Sequence, residues 1–178
     1  LNMAKVVSFK AKNVFGKEDT LITIQIDMLL AKKFGMKYID SEGKKATPYI
    51  IHRTSIGCYE RTLALLIEKY AGALPTWMAP EQVRVMPMTD RNRDYAEQIK
   101  SELEKNGFRV TLDGRSEKIG YKIREAQLEK VPYMLVLGDK EEEAGQVAMR
   151  DRKDGKTTVM PLSEFIEKLK FEVDHKLK

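Results

Sequence analysis

Residues 133–138 read YMLVLG, a continuous apolar run that ends in a glycine. A run of this length matches a strand, and a strand that is apolar at every position is typical of a sheet that is buried on both faces. Helices must then cover both faces of that sheet. The stretch therefore predicts a strand, buried on both faces, of an α/β domain.

Strand and helix patterns alternate on both sides of this run. The predicted elements, in order, are a strand at 82–88, a helix at 90–107, a strand at 108–112, a helix at 117–130, the strand at 133–138, strands at 146–151 and 156–161 joined by the turn residues KDGK, and a helix at 162–173. This order predicts a mixed five-stranded sheet flanked by helices, a complete α/β domain of about 100 residues.

The first 80 residues follow a different pattern. DTLITIQIDMLL (19–30) alternates between apolar and polar residues, which predicts a strand with Gln25 on its polar face. MKYID and TPYIIHR flank the turn residues SEGK, so we expect His52 on a strand near Gln25. An amphipathic helix begins at Tyr59. Such an antiparallel β plus helix segment offers too little surface to enclose its own core.

Glycine and proline in AGALPTWMAP (71–80) mark a boundary between these two parts. We therefore expect two domains, 1–79 and 80–178.

Composition and charge exclude several classes of protein. The 178 residues are 42% apolar and 33% charged, as in soluble globular proteins. No apolar run approaches the roughly 20 residues of a bilayer span, and residues 1–12 lack the apolar core of a signal peptide, so we expect a cytoplasmic protein with no membrane partner. The net charge of +5 lies entirely within residues 1–80. A neutral remainder still allows RNA binding through base contacts.

Four stretches together resemble one family. They are TIQID (23–27), PYIIHRTSIGCYERTLALLIE (48–68), AGALPTWMAP (71–80) and DGRSEKIGYKIREAQLEKVPYMLVLGDKE (113–141). The chain is similar, from about Asn13 onward, to the carboxy-terminal part of bacterial-type threonyl-tRNA synthetases of class II. The resemblance implies a remnant of the catalytic domain, followed by an anticodon-binding domain, from a threonine-tRNA ligase.

GCYER (57–61) stands where this family has its third catalytic motif. The resemblance assigns catalysis to Arg61, at the terminal phosphates of ATP, and ATP binding to Gly57, Cys58 and Arg61. Unpaired N–H groups at a helix start favour a phosphate, and arginine adds a matching fork of donors, so the chemistry agrees. Many family members have serine where Cys58 lies, and a thiol is a weaker donor. On the residues alone, the alternative is that Glu60 and Arg61 are a solvated pair that begins a surface helix.

Two further residues of this region are assigned by the resemblance. Gln25 aligns with a family glutamine that binds the amino acid and the adenylate, and we group it with Arg61 as catalytic. His52 matches a histidine that ligates zinc, the ion that distinguishes threonine from valine in this family. The other two ligands have no counterpart in this sequence, so His52 is a partial zinc site, and the alternative is a structural histidine on a strand.

The resemblance also implies a set of anticodon-binding side chains on one side of the second domain's sheet. They are Ser116, Lys130, Glu141 and Arg150. Glutamate can accept from a base amino group, and arginine can donate to acceptor edges or stack on a base. Lys130 replaces a common arginine and lacks its planar fork. We expect most of the glutamates at 141–143 to form a solvated acidic loop.

The full enzyme of this family uses ATP with Mg²⁺ and Zn²⁺, acts on threonine and tRNA(Thr), and forms a homodimer. We expect this chain alone to bind none of these cofactors and to be inactive, because the family's first and second motifs and two zinc ligands are absent from its sequence. The alternative is a stand-alone tRNA-binding or regulatory module of synthetase descent without catalysis. A third hypothesis, a structural or dimerisation role without RNA, predicts no preference among tRNAs.

Overall fold

The structure is a computed structural model that describes residues 4–177. It forms two compact units, one up to Lys69 and one from Tyr70 onward. Segment 71–80 thus lies in the second unit. The predicted boundary at 79/80 separates domains of the family rather than compact units, and it stays a prediction. None of the helices in the described part of the chain is long and apolar enough to cross a membrane.

The first unit is an antiparallel sheet followed by a helix. Its elements are β1 (Ala4–Lys12), β2 (Glu18–Asp27), α1 (Leu30–Lys33), β3 (Tyr38–Ile39), β4 (Lys45–Ala46), β5 (Ile50–Arg53) and α2 (Tyr59–Tyr70). The strand order is β1-β2-β5, and β3 and β4 form a separate hairpin around the predicted turn. TPYIIHR is therefore not the second strand of that hairpin, because its strand β5 pairs with β2 instead. Gln25 of β2 lies directly opposite His52 of β5, so the prediction that His52 lies on a strand near Gln25 is confirmed.

Three further features of this unit differ from the sequence-based expectation. Strand β1 was not predicted. β2 ends at Asp27 rather than continuing to residue 30, because the Asp27 carboxylate accepts hydrogen bonds from the amides of Leu29 and Leu30 at 2.7 and 2.9 Å and starts a helical turn. The apolar face of α2 is only partly packed, because Leu63 and Ile67 are exposed at 53% and 47% whereas Leu66 is half-buried.

The second unit is the predicted mixed sheet flanked by helices. Its elements are β6 (Val83–Pro87), a 3-10 turn (Asp90–Asn92), α3 (Arg93–Lys105), β7 (Val110–Leu112), α4 (Ile119–Leu128), β8 (Tyr133–Leu137), α5 (Asp139–Ala144), β9 (Gln146–Asp151), β10 (Thr157–Pro161) and α6 (Leu162–Asp174). The strand order is β10-β9-β8-β6-β7. β6 is parallel to both β7 and β8, whereas β9 and β10 form the antiparallel hairpin.

Helices cover both faces of this sheet, as the apolar run 133–138 predicts. Tyr133, Leu135 and Leu137 of β8 point to one face and are buried with residues of α3 and α6. Met134, between them, points to the other face and packs with Ala126 of α4. The fold class is therefore confirmed, and each face of the central strand has its own apolar cluster.

The expectation of an acidic loop at 141–143 is wrong, because these residues lie in helix α5. The Glu141 carboxylate accepts the amide of Gly138 at 2.9 Å, just before the first turn of the helix. The buried amide of Asn92 donates to Asp139 and Glu142 at 2.8 and 2.9 Å. Tertiary hydrogen bonds therefore stabilise a segment that carries no apolar periodicity.

Candidate functional site

A cleft of about 300 Å³ in the first unit brings together the five residues that the sequence singles out there. It is lined by Thr20, Leu21, Thr23, Gln25, His52, Thr54, Gly57, Cys58 and Arg61. Strand β2 supplies one wall, β5 a second, and the turn into α2 the third. The polar face of β2 therefore faces the cleft, as its period-2 alternation requires.

Gly57 makes the turn from β5 into α2. Its φ of +79° lies in the left-handed region that glycine adopts at low cost, and its backbone packs directly against β2 at Leu21. The start of α2 is thereby held at the wall formed by β2. This contact fixes the width of the cleft with backbone atoms rather than side chains.

The charged end of the cleft is formed by the first turn of α2. Arg61 donates from Nη1 to the carbonyl oxygen of Thr20 at 2.9 Å, and its side chain is otherwise free of hydrogen bonds to described residues. The Cys58 thiol donates to the Glu60 carboxylate at 2.9 Å, which holds the pKa of Glu60 below its usual value. Arg61 is thus oriented along the cleft, with most of its guanidinium donors available for an anion.

The opposite end of the cleft holds Gln25 and His52. The Nε2 atom of His52 lies 3.7 Å from a carboxylate oxygen of Asp27. The amides of Leu30 and Leu29 hold the pKa of Asp27 below its usual value, so this carboxylate is an anion that can orient the imidazole.

These residues do not fit a metal ion by themselves. No group of three His, Cys, Asp or Glu side chains among residues 4–177 is arranged to hold one. His52 is a single candidate ligand, and a zinc site needs three or four.

In the second unit, Ser116 and Glu141 lie at the same edge of the sheet. Ser116 follows β7, and Glu141 lies in α5, which follows β8. β6, β7 and β8 are parallel, so their carboxyl ends meet at this edge. Ser116 is exposed and lines a crevice there. Two of the four predicted anticodon residues therefore share one rim.

Lys130 and Arg150 lie at the other end of β8. Lys130 occupies the turn between α4 and β8 with a left-handed φ of +62°, and Arg150 of β9 is paired with Met134 of β8. The Nε atom of Arg150 is buried and has no hydrogen-bond partner among the described residues. Arg150 and Met134 share the sheet face on which α4 packs.

Arg152 was missed by the sequence reasoning. Its guanidinium donates from Nη1 to the Lys130 carbonyl oxygen, and from Nη2 to those of Ala73 and Leu74 at 3.3 and 2.9 Å. One side chain thus joins the turn that carries Lys130 to the segment after α2. No local pattern could reveal Arg152, because its partners are distant in sequence. Thr23 lines the cleft of the first unit and was also not singled out. Its location could have been predicted, because it lies two residues before Gln25 on β2 and therefore on the same face.

Two family models match this chain. Residues 82–172 match the model of the family "Anticodon binding domain", and residues 3–70 match that of "tRNA synthetase class II core domain (G, H, P, S and T)". The crystal structure of the RNA binding domain of threonyl-tRNA synthetase from Cryptosporidium parvum Iowa II superposes with a TM-score of 0.82 and 31% identity, over 93% of this chain and 42% of that one.

Two bacterial relatives are more similar in sequence. The threonine-tRNA ligase of Clostridium perfringens (strain SM101 / Type A) is 60% identical over 91% of this chain. That of Clostridium botulinum (strain Eklund 17B / Type B) is 54% identical over 94%. The chain spans only about a quarter of the length of these relatives, 25% and 26%. With half of its residues in the matched domain, the chain belongs to the anticodon binding domain family, with a segment of the class II tRNA synthetase core before that domain.

Proposed function

We propose that this chain is the carboxy-terminal part of a threonine-tRNA ligase, which joins threonine to tRNA(Thr) using ATP. The observation that carries this proposal is the 60% identity, over 91% of the chain, to a Clostridium perfringens protein of that name. The chain corresponds to a quarter of that protein. We therefore assign the aminoacylation reaction to the whole protein and anticodon reading to this chain.

The second unit reads the anticodon through Ser116, Lys130, Glu141 and Arg150. The Glu141 carboxylate accepts one hydrogen bond, from Gly138, and retains lone pairs for a base amino group. Arg150 offers a guanidinium on the sheet face beside α4, where it can donate to a base edge or stack on a base. Ser116 and Lys130 contribute a short hydroxyl and a single point charge, which suit hydrogen bonding and phosphate contact respectively.

The first unit contributes part of the adenylate-forming site. Arg61 neutralises the terminal phosphates of ATP while threonine attacks the innermost one. Gly57 and Cys58 form the turn against which the adenine lies, and Gln25 binds the amino acid and the adenylate from the β2 wall. This assignment is supported by the common cleft that these residues line. In the whole protein, Mg²⁺ accompanies ATP, and His52 supplies one ligand of a zinc ion.

The proposal extends to the partners of the whole protein. They are threonine, ATP, tRNA(Thr) and a second copy of the enzyme, in the cytoplasm. Most donors of Arg61 are unoccupied and Leu63 of α2 is exposed, which supports a site that further residues complete.

The decisive experiment measures binding of the purified chain to a tRNA(Thr) transcript, and to the same transcript with its anticodon bases exchanged, at two salt concentrations. We expect tighter binding to the native anticodon that persists at the higher salt, because base contacts depend less on salt than phosphate contacts. Equal binding that disappears with salt would refute anticodon reading by this chain.

A second measurement tests whether this chain alone can activate threonine. We expect the purified chain to show no threonine-dependent pyrophosphate exchange, because it lacks the family's second motif and two zinc ligands. Robust exchange would overturn that expectation and would require Arg61 and Gln25 to act with partners inside this chain.

A further inference from the structure

The crevice beside Ser116 carries an unusual concentration of positive charge. It measures about 380 Å³ and lies between the carboxyl ends of β6 and β7. Four cationic side chains line it, Arg93, Arg115, Lys118 and Lys122, against the carboxylates of Asp90 and Glu117. Residues 81–178 have no net charge, so this local excess is not a property of the surrounding domain.

The position of the crevice in the fold favours ligand binding. β7 and β8 lie on opposite sides of β6. The connection that leaves the carboxyl end of β6 runs through α3 to β7, and the one that leaves β7 runs back past β6 through α4 to β8, so the two connections run in opposite directions. Open α/β sheets bind ligands where the strand order reverses in this way. Helices α3 and α4 also begin at this edge, and the unpaired amides of their first turns add partial positive charge.

Lys122 is the buried cation of the crevice. The residue has only 3% exposure, and its Nζ atom donates to the carbonyl oxygens of Asp113 at 3.0 Å and Pro87 at 3.4 Å. An ammonium has three donors, and none of the described carboxylates lies within ion-pair distance of this one. The Asp113 carboxylate acts on this ammonium electrostatically, but the ammonium donates only to carbonyl oxygens among the described residues. An anion in the crevice would give it a direct charged partner.

Two further cations at the rim are free to contact the same ligand. Arg93 and Lys118 are exposed and form no ion pair or side-chain hydrogen bond with another described residue. The Arg93 guanidinium lies against Gly114, where a Cβ would be 3.6 Å from Cζ. Arg115, by contrast, is already paired with Asp113 and Glu125. The ligand chemistry that fits Arg93, Lys118 and Lys122 is a phosphate group.

We propose that this crevice binds a backbone phosphate of the RNA whose anticodon bases contact the neighbouring residues. This inference rests on the proposed function, because that function supplies the RNA that carries the phosphate. Arg93 and Lys118 are then positioning residues that fix the register of the anticodon loop beside Ser116, without reading its sequence.

The test compares a crevice variant with a control of equal charge in the 178-residue chain. The crevice variant is Arg93→Ala with Lys118→Ala, and the control is Lys105→Ala with Lys170→Ala, two exposed residues at the end of α3 and on α6. Each is titrated with the native and the anticodon-exchanged transcripts over a range of salt. Thermal unfolding shows that both variants fold.

We expect the crevice variant to bind both transcripts about tenfold more weakly, the fold-change for one charged hydrogen bond. The slope of log affinity against log salt should become shallower by about 0.7 for each phosphate that the variant no longer neutralises. The control should keep the affinity and the slope of the unsubstituted chain. Equal behaviour of the two variants would overturn the proposal, and so would a change in anticodon preference, which indicates base contact.

Failure of the proposed function is detected separately, because the unsubstituted chain would then bind the native and the anticodon-exchanged transcripts equally. A final arm titrates inorganic phosphate alone and follows the amide resonances of Gly114 and Gly120. Shifts that vanish in the crevice variant support a phosphate site. Such shifts without any effect of the variant on RNA binding would assign the site to a free anion and overturn the RNA assignment.

Discussion

Gly57 approaches the carbonyl oxygen of Leu21 so closely that a Cβ atom on residue 57 would lie 1.9 Å from it. No side chain fits at that distance without moving the backbone of β2 or the start of α2. Glycine is required here for two reasons, the close approach and the left-handed φ. The cleft that holds Arg61 and Gln25 therefore depends on the absence of a side chain at residue 57.

Gly57→Ala should disrupt the first unit, whereas Gly43→Ala should be mild. Gly43 has a similar φ of +75° but open space around it, so alanine there costs only the conformational penalty of about 1–2 kcal/mol. Gly57→Ala adds overpacking of about 1–3 kcal/mol more. Hydrogen exchange of peptides covering 18–27 measures the effect. Equal protection of β2 in the two variants would show that the turn relaxes freely.

Substitution of Arg152 should loosen the turn at Lys130. Arg152→Ala leaves three backbone carbonyls without their donor, and we expect a loss of about 1–3 kcal/mol in the free energy of unfolding of the second unit. Urea unfolding followed by the fluorescence of Trp77, the single tryptophan, measures it. Arg124→Ala, an exposed residue of α4, is the matched control and should change stability little. A comparable loss in both variants would contradict the assigned role.

The Asp113 carboxylate should make the second unit sensitive to acid. Arg115 donates to it at 2.8 and 2.7 Å and holds its pKa below the usual value. A carboxylate whose pKa is lower in the folded state stabilises the fold above its unfolded pKa of about 3.9, and this contribution is lost as the pH falls through the folded pKa.

Asp113→Asn should therefore reduce the difference in stability between pH 7 and pH 3, as measured by urea unfolding at the two pH values. The exposed Asp94 provides the control, because Asp94→Asn removes a carboxylate without a side-chain partner among the described residues. An unchanged pH difference in Asp113→Asn would show that this pair does not contribute to acid sensitivity.

Glu141→Gln should weaken anticodon preference without unfolding α5. A glutamine oxygen can still accept the Gly138 amide, but the charge that attracts a base amino group is lost. We expect the ratio of affinities for native and exchanged anticodons to fall about tenfold, as the loss of one modest base contact would produce. Competition binding measures the ratio, and Glu143→Gln on the same helix should leave it unchanged. Equal ratios for both variants would exclude Glu141 from base recognition.

The sequence predicts the sheets better than it predicts the site. The apolar run at 133–138 and the alternation in 19–27 both reveal strands, because successive side chains of a strand point to opposite faces. Helix α5 escapes detection since it carries five charged residues in six and depends on Asn92, which is distant in sequence. The same holds for Arg152 and for the left-handed backbone of Lys130, which arise from tertiary contacts rather than local preference.

The resemblance to a family contributed what periodicity could not. It grouped Gln25, His52 and Arg61 on the basis of sequence alone, and the strand pairing of Gln25 with His52 gives that grouping a physical basis. The cationic crevice had no such signal, because Arg93 and Lys122 meet only when β6 and β7 pair.

The location of β6 between β7 and β8 has a consequence for synthesis on the ribosome. β6 is synthesised first among the five strands, and its neighbours β7 and β8 are synthesised later. The backbone groups of Val83 are paired on both sides only once Val110 and Tyr133 are both available. A nascent chain that pauses before Leu137 exposes the apolar residues Val83 and Val85. We therefore expect co-translational folding of this unit to begin only after β8 has left the exit tunnel, and chaperones that recognise apolar segments to bind the chain during that interval.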